Sequence, residues 1–414
     1  MPVPLTPPAS GTPASPHAAP HASPPGTLPP DPSTAAPLSD ASPDPSAGAG
    51  MGRLSAWPVV WAIAIGLVVT AIVSFVTDFQ VSDLRLFAER LNPGWLLAAV
   101  AMLALRIVFG GLRLTAVSSG RLSVADGMRG QIAWDFFSNV TPSAVGGGPF
   151  TAAFVARDRG IPIGESFAIL LFAMLVEQFW TLFSTLVVLG LLVAGYPILP
   201  PEVGLAGRVA LGVFAAVTAI WTGLMTTALL RRPDWIDRGV EAISRWPLVR
   251  RRGARIRAEG HTLAARARVL GGHGPLFYLR GFVLASLSWI ARYQMLVFLV
   301  WSVDPSADGP LVFLRYLALT MATMTLPTPG GAGGAEGFFA LFIGPLVAPA
   351  ALVTPLLIVW RLLGYYLFLV LGLPLAFRKG TPVESSPGAV PAAEGGAPVP
   401  ASVVDSASSP VPGR

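Results

Sequence analysis

Six stretches of this chain, residues 57–77, 92–114, 164–194, 205–230, 276–303 and 351–377, carry at most two charged side chains each. Every one reaches the ~20 residues that a helix needs to cross a hydrocarbon core. Nothing else in the sequence narrows the fold as much, because apolar surface on this scale cannot be hidden in one soluble core. The chain reads as an all-α polytopic membrane protein with about six full spans. Composition agrees: 12% of the residues are charged, against about 25% in soluble domains.

Two further apolar stretches, 126–157 and 311–348, are interrupted near their middles. The first contains Thr141-Pro142-Ser143-Ala144-Val145-Gly146-Gly147-Gly148-Pro149, the second Leu326-Pro327-Thr328-Pro329-Gly330-Gly331-Ala332-Gly333-Gly334-Ala335-Glu336. Their limbs are too short to span singly and suit re-entrant helical hairpins whose irregular tips lie inside the protein. Basic residues test the count. Arg53, the group Arg113, Arg121 and Arg129, the pair Arg157 and Arg159, the loop 231–272, and Arg378 with Lys379 all reach the cytoplasm only if both hairpins return to the side they enter from. Both termini are then cytoplasmic.

The spacing points to an internal repeat. Arg106 precedes Pro142 by 36 residues and Arg292 precedes Pro327 by 35, while Glu177 follows Pro142 by 35 and Arg361 follows Pro327 by 34. Two units of span, broken hairpin and span in opposite orientation form the inverted repeat of transporters that bind substrate where broken helices meet.

Four ionisable residues fall near the centres of spans: Arg106, Glu177, Arg292 and Arg361. Charge at that depth is costly, so each is expected to face the bundle interior with a partner. Three guanidiniums against one carboxylate suggest an anion site, and the arginine fork matches phosphate geometry. The plainer alternative pairs Arg106 or Arg361 with Glu177 and leaves the others on hairpin carbonyls. At the tips, Pro142, Gly146, Gly147 and Gly148 in the first, and Pro327, Gly330 and Gly331 in the second, allow backbone amides to approach a ligand. Pro149 suits the first turn of a limb whose N-terminus would favour an anion. Glu336 suits the start of its own limb and a cationic group. Close helix packing is the plain alternative for these glycines. Asp135, Asn139 and Arg315 lie within hairpin limbs without an evident partner.

The loop 231–272 holds eleven arginines against Asp234, Asp237, Glu241 and Glu259. Within it, residues 234–246 place Trp235, Ile236, Val240, Ile243 and Trp246 near one helical face, as on an interfacial helix over anionic lipid. A loop that does no more than set topology is the alternative. There is no cysteine, and His17, His21, His261 and His273 lie outside the apolar runs, so no metal centre or thiolate catalysis is expected in the membrane. No Walker loop occurs, which argues against ATP-driven transport by this chain alone. No cofactor and no nucleic-acid partner is expected. Residues 1–50, with fifteen of the 41 prolines, and 379–414 read as disordered tails around a membrane domain at 51–378. The first tail does not read as a signal peptide, and Met51 is a candidate start.

At residues 136–150, Glu177 and residues 326–337, the sequence resembles the membrane region of the lysylphosphatidylglycerol synthases, the flippase-like family, over roughly 57–378. The resemblance implies a polytopic protein of the cell membrane that translocates lipids, whose partners are anionic phospholipids or polyprenyl phosphates. It differs where relatives often carry Glu and Arg in the first motif, since Gly148 and Thr151 stand there. The soluble aminoacyl-transferase domain of the full synthases is not expected, nor is aminoacylation of lipids. The leading expectation is a lipid translocase; the alternative is a membrane-embedded enzyme or subunit modifying a lipid or lipid-linked glycan.

Overall fold

A computed structural model describes residues 80–141, 147–247, 250–326 and 328–377, with Val60, Trp61, Ala64 and Val68 besides. The described residues form helices and no strands: α1 (Val81–Arg90), α2 (Pro93–Val117), α3 (Val124–Val140), α4 (Gly148–Arg159), α5 (Ile163–Val193), α6 (Gly204–Thr226), α7 (Asp234–Ser244), α8 (Gly253–Gly271), α9 (Pro275–Trp301), α10 (Gly309–Met324), α11 (Gly334–Phe342), α12 (Val353–Arg361) and α13 (Leu367–Phe377). Five segments are long and apolar enough to cross a membrane: Pro93–Val117, Ile163–Val193, Pro201–Arg231, Pro275–Trp301 and Ala350–Leu375. The sixth expected span, 57–77, lies outside the described residues apart from four isolated positions, and so do the tails 1–50 and 379–414.

Local sequence fixes the helix ends. The Asn92 side chain accepts from the Gly94 and Trp95 amides and Pro93 starts α2. Ser123 and Asp126 bond reciprocally at the start of α3. Asp308 caps α10 through the Leu311 amide. Both broken segments take the expected form. α3 and α4 flank the first tip, and α10 and α11 flank the second. The last limb is shorter than the sequence suggests, at 9 residues, because a turn at Gly344–Leu346 ends it.

The order span, two limbs, span therefore occurs twice, as α2, α3, α4, α5 and as α9, α10, α11, α12 continuing into α13. The two leading spans, α2 and α9, pack along each other. Hairpin α3–α4 lies against α13 of the second unit, and α10 lies against α5 of the first. Each broken segment is thus held by the other unit's closing span. α6 packs on α5, and its flank is the least buried of the five spans.

α2 and α3 approach each other through glycine. A Cβ on Gly127 would meet the Gly111 carbonyl oxygen at 2.2 Å, and one on Gly110 would meet Gln131 Oε1 at 2.4 Å. The arginine-rich loop is not a bare connection, since α7 and α8 pack on each other and α8 packs on the start of α5. There the Gly164 amide donates to Glu259 at 2.8 Å, and Arg121 and Arg266 both meet Glu165.

A side chain between α2 and α3 forces them apart. Gly127→Val is expected to lower stability by about 1–3 kcal/mol. Gly212→Ala, on α6 with nothing within 4 Å of the added carbon, is expected to leave stability unchanged or slightly raised. Thermal unfolding of both in the same detergent checks the contrast.

Candidate functional site

A cavity of about 540 Å³ lies where the two repeated units meet. Its wall takes Arg106 from α2, Asp135 and Asn139 from α3, Gly147 and Gly148 from the first tip, and Glu177 from α5. From the second unit come Arg292 of α9, Tyr316 of α10, Gly330 of the second tip, and Trp360 and Arg361 of α12. Of the residues singled out by sequence, Arg106, Gly147, Gly148, Glu177, Arg292, Gly330 and Arg361 line it together. Pro142, Gly146 and Pro327 lie outside the described residues. Gly331, at φ +69°, forms part of the tip turn, and Glu336 stands behind Arg361.

The second tip meets the first hairpin's leading limb at glycine. A Cβ on Gly330 would lie 2.3 Å from the Tyr365 ring and 3.5 Å from the Asn139 carbonyl oxygen. Its φ of +56° excludes most side chains besides. Asn139 Nδ2 donates to the Tyr365 carbonyl at 3.4 Å, joining the first hairpin to the second unit. Tyr365 sits in a π turn, Leu362–Tyr366, that widens the closing span directly after Arg361.

The charges form two sets. In the first, Arg106 makes a two-pronged pair with Asp135, Nη1 to Oδ2 at 2.8 Å and Nη2 to Oδ1 at 2.5 Å. Gln131 Nε2 donates to the same carboxylate at 3.1 Å, and Gln131 Oε1 accepts from Arg113 Nη2 at 3.3 Å. Arg113 in turn pairs with Glu177. One polar chain therefore runs Arg106, Asp135, Gln131, Arg113, Glu177 across α2, α3 and α5. In the second set, Arg361 pairs with Glu336 at 2.7 Å and donates to the Gly330 carbonyl at 3.2 Å. Glu336 also accepts the Gly333 amide at 2.8 Å, so it closes the N-terminus of α11 and faces a guanidinium, away from the cavity.

The pairing differs from the one expected. Glu177 meets Arg113, and neither Arg106 nor Arg361. Arg113, near the end of its span, is fully buried. Four arginines, Arg106, Arg113, Arg292 and Arg361, face three carboxylates, Asp135, Glu177 and Glu336, which leaves one positive charge in place of two. The excess belongs to Arg292. It makes no ion pair among the described residues and its Nε is buried without a hydrogen-bond partner, while its guanidinium stands 5.3 Å from the Trp289 ring centre, beside the Tyr316 hydroxyl and within electrostatic reach of Asp135. Nearby on the wall, the Tyr316 hydroxyl accepts from Trp360 Nε1 at 3.0 Å and keeps its own proton for another acceptor. Arg315 lies elsewhere, donating to the carbonyls of Phe342 and Pro197.

One side of the cavity is made by α6, through Phe214, Val217, Thr218 and Trp221. Val217 and Trp221 are 59% and 50% exposed, so the same residues face the cavity and the lipid-facing surface. Among the described residues α6 is the least buried of the five candidate spans, so this wall is thinly covered.

The family described as the lysylphosphatidylglycerol synthase TM region matches residues 59–372, well over half of the chain. The chain belongs to that family, and is a multi-pass membrane protein of lipid modification or translocation whose partners are membrane lipids. No curated protein matches it.

Removing one member of a buried ion pair strands the other charge, at a cost of about 3–5 kcal/mol. Asp135→Ala is expected to lose that much stability, while the double variant Arg106→Met with Asp135→Leu recovers most of it. Unfolding midpoints of the two variants beside wild type check this. Equal losses in both would mean that the pair is not held as a unit.

Proposed function

We propose that this member of the lysylphosphatidylglycerol synthase membrane-region family moves a lipid with an anionic or phosphate-bearing head group between the leaflets of the cell membrane, with both of its termini in the cytoplasm. The observation that carries the proposal is Arg292, a guanidinium on the cavity wall that belongs to no ion pair among the described residues and has the Tyr316 hydroxyl beside it. A buried cation costs free energy unless it is paired. A lipid phosphate supplies the missing charge, and its oxygens suit the planar donor fork.

The remaining residues divide the work. Tyr316 offers its hydroxyl proton to a second phosphate oxygen. Arg106 and Arg361, each held by a carboxylate, contribute to the positive field without being free to leave with the head group. Glu177 holds Arg113 in place. The thinly covered wall at α6 supports a lipid over a water-soluble anion, because acyl chains can remain in the bilayer while the head group occupies the cavity. Rocking of one repeated unit against the other, as in transporters with inverted repeats, exposes the head group to either leaflet in turn.

The test is flipping of fluorescent phospholipid in proteoliposomes, read by dithionite quenching. A hydrogen bond to a charged group contributes about 1.5–3 kcal/mol, so Arg292→Ala is expected to slow flipping by about tenfold or more. Its unfolding midpoint should stay near that of wild type, because no ion pair is broken. Undiminished flipping by Arg292→Ala would remove this arginine from the mechanism. Crowding the cavity wall at α6 with Thr218→Trp is expected to slow flipping as well, with Arg292 intact.

A further inference from the structure

The arginine-rich segment after α6 carries a second feature that the translocation path does not use. α7 begins at Asp234, three residues beyond the end of the Pro201–Arg231 span, so chain continuity holds its first turn at the level of the membrane surface. One face of α7 is covered. Ile236 packs into the apolar cluster at that end of the bundle, Ser244 is buried, and Val240 lies so close to α8 that a Cβ on Gly260 would meet it at 2.2 Å. Arg268 fixes the arrangement by pairing with Asp237 at 2.6 Å.

Among the described residues the other face is exposed. Trp235, Gly239, Ala242, Ile243 and Trp246 fall at the spacing of one helical stripe. Trp235, Ile243 and Trp246 are 43%, 54% and 65% exposed. A tryptophan at each end of a short apolar stripe suits the boundary between head groups and acyl chains. Around the stripe stand Arg231, Arg232, Arg238, Arg251, Arg252 and Arg255, all exposed and none in an ion pair among the described residues. The acidic side chains of the segment are occupied: Asp234 and Asp237 by Arg268, Glu241 by Arg245, and Glu259 by the Gly164 amide. The cationic field is thus left for something outside the protein.

We infer that the α7–α8 unit is a binding surface for anionic lipid of the adjoining leaflet, with the Trp235–Trp246 stripe inserted at the head-group boundary and the unpaired arginines on lipid phosphates. Apolar burial and cationic attraction together are what hold an interfacial helix on an anionic membrane. The surface is separate from the cavity and binds resident lipid, not the molecule being moved. Through α8 it reaches the start of α5 and the loop after α2, where Arg266 donates to the Ser118 carbonyl and pairs with Glu165. Bound lipid therefore steadies the rim of the first hairpin.

The chain has no cysteine, so Ile243→Cys gives a unique site for a nitroxide on the full-length protein. Val213→Cys, on the lipid-facing side of α6, is the reference. Both are reconstituted in phosphatidylcholine vesicles with and without phosphatidylglycerol, and accessibility to oxygen and to a nickel chelate is compared. In the anionic vesicles the label at 243 is expected to become oxygen-accessible and nickel-shielded, approaching the label at 213. Each arginine near an anionic surface contributes about a factor of five, so replacing Arg238, Arg251 and Arg252 with Gln should weaken insertion by about a hundredfold. A label at 243 that stays fully nickel-accessible in anionic vesicles overturns the inference. So does one equally shielded in both vesicles and in the Gln variant, which would make the contact purely apolar. Flipping in the same vesicles reads the cavity separately.

Discussion

A guanidinium inside a bilayer must find a counter-charge, and much of this structure is arranged so that it does. Arg106 and Arg113 lie seven residues apart on α2, two turns along one face, and both point at α3. α3 answers with Gln131 and Asp135, four residues apart, so that amide and carboxylate face the two arginines in register. That meeting is possible only because α2 and α3 run in close contact, which Gly110, Gly111 and Gly127 permit. The chain of bonds then ends on Glu177 and ties in α5. Interior charge that would weaken an ordinary membrane helix serves here to set the relative position of three of them.

The second unit solves the same problem more sparingly. Arg361 has one carboxylate, Glu336, and one carbonyl, that of Gly330. Both belong to the second tip, so this pair fixes an irregular turn and not a helix–helix register. Arg292, the counterpart of Arg106 in the repeat, has neither. The two leading spans pack together and bring a satisfied and an unsatisfied arginine to one cavity. This asymmetry within a repeated architecture gives the cavity its single excess positive charge, the other three guanidiniums being paired.

Much of the architecture can be read from the sequence, because hydropathy and Pro/Gly content act locally. The spans and both broken hairpins follow from length and punctuation alone, and the matched spacing of Arg106, Arg292 and the tips leads to the cavity they share. The pairing is less legible. Arg113 sits close to the end of an apolar run, where arginine ordinarily marks the membrane boundary, and so it reads as a topology signal. The i, i+7 relation to Arg106 and the i, i+4 relation of Gln131 to Asp135 are the clues that identify its real place. That Arg292 joins no ion pair among the described residues has no sequence signature, since pairing is a property of the whole fold. Likewise, acidic residues near the arginines of 231–272 are visible in sequence, but which arginines they neutralise depends on how α7 meets α8.

The loose packing of α6 follows from the same logic. A helix that closed the cavity on all sides would seal Arg292 from lipid and leave its charge without relief. α6 instead packs on α5 and turns Val217 and Trp221 both to the cavity and to the lipid-facing surface. In the proposed function a polar head group would enter here while its chains stay in hydrocarbon, which avoids the cost of drawing acyl chains through a protein interior. The apolar surface left bare on α6 costs nothing in a bilayer, where lipid tails are as good a neighbour as leucine.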